Sequence, residues 1–450
     1  MRSCNKTYTI TEYGGFVSGE ARNGYKGLPK ESFEALENFI LTNNKTDNGT
    51  DAIELLSLSA RQGVGKVITA RNYVGVITMK DGTVIEILPK IAGENIGDEE
   101  TKKIFINMLK TFKNVPKYFN LSNLRVDRLN LLEIFVKMFL DEVSILTKQG
   151  LKAAYTPIEN NERFYKGKLL ASQNIKYNLV RKERFFVRYD DFNINRPENR
   201  LIKSTLGFLL KKSSDSRNRQ SAMRLLAFFD GAEYSGNYDT DFSKCSIDRS
   251  MTHYEKALSW CRVFLQGNSF TAFAGSKVAL ALLFPMEKVF ESFVAAKFRK
   301  HVESDVILRT QDSKYSLFDK PSAFALRPDI VLEFGNHKVI LDTKWKLLSD
   351  NAQNNEISQS DMYQMYAYSK KYGADRVVLL YPQTGATSQH DRSYVSDDNG
   401  DKVRVDVSFI DLRDADESIK NLITKFHTVT LGKDPGCPVC GSMVVVSKTT

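Results

Sequence analysis

Residues Arg327 to Lys346 read RPDIVLEFGNHKVILDTKWK. Two short apolar runs flank Gly335-Asn336-His337-Lys338, so the stretch predicts a hairpin of two largely buried strands. Yet it also carries Asp329, Asp342, Lys344 and Lys346, and buried charges are costly unless partnered. Strand alternation resolves the conflict. If Gly335 pairs with Lys338 around an Asn336-His337 turn, Val331 lies across from Asp342, and Asp329 across from Lys344. Asp329, Asp342 and Lys344 then project from one face, at the end far from the turn. Ile330, Leu332, Phe334, Leu341, Thr343 and Trp345 take the other face, a mostly apolar set suited to packing. Lys346 shares the charged face one pair further out and is read as a phosphate contact.

Two carboxylates so placed can share a hard cation. Mg²⁺ takes oxygen ligands, commonly one or two carboxylates with waters and substrate phosphate, and the Thr343 carbonyl is a further oxygen nearby. A lysine beside such a cation can stabilise charge on a scissile phosphate or orient an attacking water. The plain alternative is a solvated face with a surface ion pair. The Pro328-Asp329 step, the thirteen-residue spacing to Asp342 and the surrounding helical patterns favour the chemical reading.

Those patterns give the element order. MEKVFESFVAAKFRK predicts an amphipathic helix, DVILRT a short strand, SQSDMYQMYAYSKKYG a helix started by Ser358 and Asp361 and stopped by Gly373, and RVVLLYP a buried strand. From Pro285 the order is helix, strand, hairpin, helix, strand. Upstream, YVGVITMKDGTVIEILPK predicts a hairpin about Asp81-Gly82. Residues from Asp98 to about Ala232 read as helical, and GAEYSGNYDTDFSKCSIDRS as a linker. This divides the chain into a β-rich unit (1–94), a helical basic region (95–250), a mixed α/β unit (251–432) and a tail (433–450), an α+β multidomain organisation.

Pro328-Asp329 followed by Asp342-Thr343-Lys344 resembles the PD-(D/E)xK nuclease signature. In that superfamily a glutamate-bearing helix precedes the strands, and the resemblance makes Glu291 the first-motif acid, with Glu287, one helical turn earlier, as second choice. Gln364-x-x-x-Tyr368 resembles the motif of the RecB-like branch, which implies contact with substrate. YVGVITMKDGTVIEILPKI, FPMEKVFESFVAAKFRK, RPDIVLEF…VILDTKWK and SDMYQMYAYSKKYG, with GLKAAYTPIENNERFYKGKLL between them, together resemble the McrC family, nuclease subunits of McrBC modification-dependent restriction systems. The resemblance implies a restriction-endonuclease-like C-terminal core that cuts double-stranded DNA with Mg²⁺ (or Mn²⁺ as a substitute). It also implies an N-terminal part that stimulates an AAA+ GTPase partner of the McrB type, which recognises modified cytosine. Two other readings stay open: the same nuclease core in a restriction or repair assembly indifferent to base modification, and a non-catalytic DNA-binding activator of a ring NTPase.

The charge fits a polyanionic partner. The net charge is +10, and residues 160–225 hold sixteen Lys/Arg against six Asp/Glu, so the excess is local. Arg181, Lys182 and Arg184 lie there among Phe164, Tyr165, Phe185, Phe186 and Tyr189. The cations are read as phosphate contacts that help hold duplex DNA near the nuclease site, and the aromatics as core. Gly63 to Val67 falls short of a Walker A loop, with Ala60 and Val67 at the Gly and Ser/Thr positions, so no nucleotide site is expected. Its basic turn leaves Arg61, Lys66 and Arg71 as candidate partner contacts. Cys437-x-x-Cys440 is half of a zinc knuckle; zinc would need ligands from Cys4, Cys245, Cys261 or His427, and its presence stays open. Five sparse cysteines, no apolar leader and no run long enough for a membrane span place the chain in the cytoplasm, away from membranes.

Overall fold

The computed structural model describes residues 6–43, 55–91, 97–112, 129–245, 249–266, 278–346, 348, 357–383, 391–398 and 401–430. Cys4, Cys437 and Cys440 lie outside them, as does the side chain of His427.

The chain begins with β1 (Thr7–Thr11), β2 (Gly15–Ser18), β3 (Lys26–Leu28), α1 (Lys30–Asn43), β4 (Leu56–Arg61), β5 (Gly65–Ala70), β6 (Tyr73–Met79) and β7 (Val84–Leu88). Then come α2 (Asp98–Leu109), α3 (Leu131–Gln149), β8 (Ala154–Glu162), β9 (Lys168–Leu169), α4 (Ala171–Asn178) and β10 (Phe185–Asn193), followed by α5 (Pro197–Lys212), α6 (Ser216–Phe228), α7 (Tyr238–Lys244) and α8 (Glu255–Leu265). The last part holds β11 (Val278–Pro285), α9 (Met286–His301), β12 (Ile307–Thr310), β13 (Ser316–Asp319), β14 (Ser322–Ala325), β15 (Ile330–Phe334) and β16 (His337–Thr343). It ends with α10 (Gln359–Tyr372), β17 (Arg376–Pro382), β18 (Arg392–Asp398), β19 (Asp401–Ile410) and α11 (Ala415–Thr430).

Two four-stranded sheets, β1-β7-β6-β11 and β3-β2-β5-β4, build the N-terminal part. The β6–β7 hairpin forms at the turn its sequence predicts: Asp81 Oδ1 accepts the Thr83 N–H at 2.8 Å and Gly82 adopts φ +91°. β11 pairs antiparallel with β6 although some two hundred residues separate them, so the first sheet is completed from the far half of the sequence. The main sheet has six strands in the order β12-β15-β16-β17-β19-β18, with β16, β17 and β19 parallel to their neighbours in that run. One face, with Ile330, Leu332, Leu341 and Trp345, joins a core shared with α9, α11 and the helices α2, α3 and α5. The other face packs Val331 and Ile340 against Met365 and Tyr368 of α10. That helix starts where Ser358 accepts the Asp361 N–H at 3.1 Å and stops at Gly373, whose φ of +58° closes the last turn.

Four expectations need correction. The hairpin turn is Gly335-Asn336, with Gly335 at φ +59° as the first central position of a type II′ turn requires, so Phe334 pairs with His337 and Ile330 with Leu341. Continuing that register puts Asp329 directly across from Asp342, not Lys344. The partners shift by two residues, so the faces are unchanged. The middle region is not wholly helical: β8, β10 and β9 form an antiparallel sheet there, backed by α4. Burial alternates at the start of β8, with Ala154, Thr156 and Ile158 half-buried, but the exposed positions between them include Tyr155 and Pro157, so hydrophobicity does not alternate with it. Nor are all its aromatics core: Phe164 is 81% and Tyr165 60% exposed, and Val187 is the only buried apolar side chain among the described residues of 154–193. The segment read as a linker carries α7, tied down by the Arg200–Asp241 pair at 2.6 Å and by buried Phe242.

Where β6 and β11 meet, Gly75 adopts φ +148°, and a Cβ there would lie 1.9 Å from the Leu282 carbonyl oxygen. Gly75→Ala is expected to destabilise the fold by more than about 2 kcal/mol, through strain and loss of the β6–β11 pairing. Chemical denaturation with an unchanged midpoint would contradict this.

Candidate active site

A cavity of about 770 Å³ opens at the end of the main hairpin away from its turn. Asp329, Asp342, Thr343, Lys344 and Lys346 reach it from the hairpin, Glu287, Lys288 and Glu291 from α9, and Asp361 and Gln364 from α10. The N-terminal sheets add Glu12, Tyr13 and Lys90.

The end of the hairpin determines the geometry. Thr343 donates both its N–H, at 2.7 Å, and its hydroxyl, at 2.6 Å, to Asp329 Oδ2. Thr343 was expected to pack with the apolar face; its hydroxyl serves the acid instead. The Lys344 ammonium lies 2.8 Å from Asp342 Oδ2 and 3.5 Å from Asp361 Oδ1, and donates to Gln364 Oε1 at 3.2 Å. Gln364 in turn donates to the Tyr368 hydroxyl at 2.8 Å, which makes the Gln-x-x-x-Tyr pair an orienting arm for the lysine. Tyr368 itself is 1% exposed. Asp342 is 3% exposed, and among the described residues its buried Oδ2 meets no aligned hydrogen-bond donor, only the ion pair with Lys344.

Burial, and then the Asp329 charge opposite, push the Asp342 carboxyl up to about 6. Burial also raises Asp329, against the two Thr343 hydrogen bonds. Glu291 is pushed up to about 7 by burial and by Asp329. Burial works against charge on Lys344, but Asp342 and the other carboxylates outweigh it and hold the ammonium above its ordinary range. The site thus gathers acids in a poorly solvated place that favours their neutral forms, a condition that a cation relieves. Among the described residues no three His, Cys, Asp or Glu side chains converge closely enough to hold a metal by themselves. Mg²⁺ asks for less: one or two carboxylates, with water completing the shell. Asp329 and Asp342, both facing the cavity, with Asp342 Oδ2 buried and met only by the Lys344 ammonium, fit that requirement.

The structure therefore brings Asp329, Asp342, Lys344, Glu291, Glu287, Gln364 and Lys346 to one cavity and sets Tyr368 behind it. It does not bring Arg181, Lys182 or Arg184 there: they lie on the loop before β10, the first two exposed and Arg184 half-buried over the Asn161 carbonyl. Arg61, Lys66 and Arg71 lie at the ends of the β4–β5 hairpin, Lys66 paired with Glu37 and Arg61 5.8 Å over the Tyr25 ring.

Sequence reasoning missed Gln311, whose amide donates to Glu291 Oε1 at 2.6 Å and Asp329 Oδ1 at 3.1 Å. It holds two like charges together from a left-handed backbone position, φ +52°, and nothing in the sequence marks it beyond its place just after β12. Asp361 was read only as a helix-capping residue, and Glu12, Tyr13 and Lys90 come from a sheet that no local pattern connects to this site.

The family model described as McrBC 5-methylcytosine restriction system component matches residues 68–382, a span that includes every cavity residue except Glu12 and Tyr13. A chain of the refined half-complex from a tetradecameric assembly of Thermococcus gammatolerans McrB AAA+ hexamers with bound McrC is similar in fold, with a TM-score of 0.69 at 19% identity, covering 94% of this chain and 100% of that one. A chain of the Thermococcus gammatolerans McrBC complex gives a TM-score of 0.49 at 20% identity, over 66% of this chain and 89% of that one. No curated protein matches the chain. With the family model spanning most of the sequence and the mixed α/β fold shared, this chain belongs to the family of McrBC 5-methylcytosine restriction system components.

Proposed function

We propose that this chain is the DNA-cutting subunit of a modification-dependent restriction complex. In this reading it is a Mg²⁺-dependent endodeoxyribonuclease that also stimulates an AAA+ GTPase partner of the McrB type. The observation that carries the nuclease assignment is the convergence of Asp329, Asp342, Glu291 and Lys344 on one cavity, with Asp329 opposite Asp342. Family membership supports the restriction setting.

A bound Mg²⁺ would supply Lewis-acid stabilisation of the phosphodiester and a water of lowered pKa. Asp329 and Asp342 would hold it, with Glu291 completing the acidic wall directly or through water. Thr343 keeps Asp329 oriented by two hydrogen bonds, so that carboxylate is preset. Lys344, charged and held by Asp342, Asp361 and Gln364, presents an ammonium to the developing charge on the phosphate. Lys346 and Lys90 stand at the same cavity as further phosphate contacts.

The β8–β10 unit is assigned to macromolecular contact. It exposes Tyr155, Phe164, Tyr165 and Phe192 along with Arg181 and Lys182, the mixture expected of a surface that is covered in a complex.

Lys344→Ala and Asp342→Ala are expected to lower DNA cleavage by at least about a thousandfold while leaving partner stimulation intact. A Lys344→Ala protein that cuts normally with its partner would sink the assignment. Equal cutting of methylated and unmethylated plasmid would favour an assembly indifferent to base modification. A wild-type chain that stimulates GTP hydrolysis without cutting would favour the non-catalytic activator.

The raised acids predict a further readout without catalysis. Their folded-state pKa values lie above the ordinary 3.8 and 4.5, so the metal-free fold binds more protons than the unfolded chain between about pH 4 and 7 and loses stability as pH rises through that window. Mg²⁺ competes with those protons. The thermal shift it produces is expected to grow from pH 5.5 to 7.5 in the wild type and to be largely lost in Asp342→Asn; a pH-independent shift would contradict the metal assignment.

Replacing Arg181, Lys182 and Arg184 by Ala together is expected to weaken DNA binding and flatten its salt dependence. Unchanged DNA affinity with lost GTPase stimulation would reassign that surface to the protein partner.

A further inference from the structure

Glu12 follows β1 and is 1% exposed. Both its carboxylate oxygens accept the Trp345 indole N–H, Oε1 at 3.1 Å and Oε2 at 3.0 Å, across 333 residues of sequence. Oε2 also accepts the Lys90 backbone N–H at 2.9 Å. These donors are neutral, and burying a carboxylate against neutral donors is costly; a glutamine would avoid the charge but offers one acceptor oxygen where Glu12 uses two. Burial accordingly pushes the Glu12 carboxyl up to about 7.

The backbone is also strained here. Tyr13 adopts φ +63°, a left-handed conformation unfavourable for an aromatic residue. The surrounding hydrogen bonds hold it: Glu12 N–H to the Leu88 carbonyl at 2.9 Å, Tyr13 N–H to that of Ala70 at 3.0 Å, and Gly14 N–H to that of Thr11 at 2.9 Å. The turn sends Glu12 inward to Trp345 and sets Tyr13 on the cavity wall.

Trp345 is the residue after Lys344. Its ring packs on Phe290 of α9, centroids 5.4 Å apart, and Phe290 immediately precedes Glu291. The Lys344 N–H donates to the Leu380 carbonyl at 2.9 Å, so the lysine backbone is fixed on one side by the main sheet and on the other by the clamped indole. A series of contacts thus links the β5 end to the site: the Ala70 carbonyl accepts the Tyr13 N–H, and Glu12, next to Tyr13, accepts the indole N–H of Trp345, next to Lys344.

We infer that Glu12 is a positioning residue for Lys344, acting through the Trp345 indole and making the N-terminal sheets a working part of the cleavage site. This rests on the nuclease reading above. Trp345→Phe keeps an aromatic ring beside Phe290 while removing the donated hydrogen bond and part of the indole; Glu12→Gln keeps the side chain's shape, removes the buried charge and turns one acceptor oxygen into a donor that cannot pair with the indole N–H. The full chain with its AAA+ partner, Mg²⁺ and methylated plasmid is the system to test. Each variant is expected to lower kcat about tenfold with KM near wild type, and the double variant to lose no more than the worse single, as two ends of one contact should. Glu12→Gln should meanwhile match or exceed wild-type thermal stability, so rate and stability move apart. A Trp345→Phe protein that cuts at the wild-type rate, additive losses in the double variant, or losses of rate that follow losses of stability would each overturn the positioning role. An inert wild type would overturn the nuclease reading and the positioning with it. Where the wild type is active and Asp342→Ala silences it, the nuclease reading stands and the Glu12 and Trp345 variants alone decide the positioning role.

Discussion

The burial of two neighbouring carboxylates, Asp329 and Asp342, is the constraint around which the rest of the structure is arranged. Register sets them opposite one another on neighbouring strands, where like charges disfavour pairing. The protein meets this locally. Two Thr343 donors serve Asp329 and the Lys344 ammonium serves Asp342, and each charge-assisted bond contributes about 1.5–3 kcal/mol. Burial still holds both carboxyls above their ordinary range, and for Asp342 the Asp329 charge adds to it; a cation would relieve both effects.

Such a site cannot hold its own strands in place, so the anchoring lies on the opposite face. Ile330, Leu332, Leu341 and Trp345 belong to a core that continues through α9 into the helices and the first sheet. The same pleat that exposes the acids to the cavity buries these residues, and α9 contributes to both sides of the division: Phe290 and Phe293 to the core, Glu291 to the cavity. Met286 at the start of α9 donates its N–H to the Asn72 carbonyl at 2.9 Å, next to β6, so the helix carrying the third acid is fixed to the N-terminal sheets as well.

What could be read from the sequence was what depends on short periodicities. The hairpin, its two faces, the order of helices and strands from Pro285, and the convergence of Asp329, Asp342 and Lys344 follow from alternation and helix-capping signals within twenty residues. The turn was misplaced by one position because Asn336-His337 and Gly335-Asn336 both offer turn residues; only the left-handed demand on Gly335 decides between them. The β8–β10 sheet was missed because its strands alternate in exposure without alternating in hydrophobicity. Gln311, Glu12 and the β6–β11 pairing are long-range facts: each depends on a partner between eighteen and some three hundred residues away, and no local pattern announces it.

The charge balance of the cavity links metal and substrate. Among the described residues its walls carry six acids (Glu12, Glu287, Glu291, Asp329, Asp342 and Asp361) against five cations (Lys90, Lys288, Arg327, Lys344 and Lys346). With every group charged the cavity is formally −1, and a phosphodiester entering it meets no net attraction even though the chain as a whole is +10. One divalent cation would turn that to +1. On the nuclease reading, the basic surface around β10 can gather a polyanion at long range, and a cation in the cavity would make it more hospitable to phosphate. Protonation of Asp342, Glu291 or Glu12, which burial favours, lowers the same negative charge, so proton and cation are alternative ways of neutralising these acids.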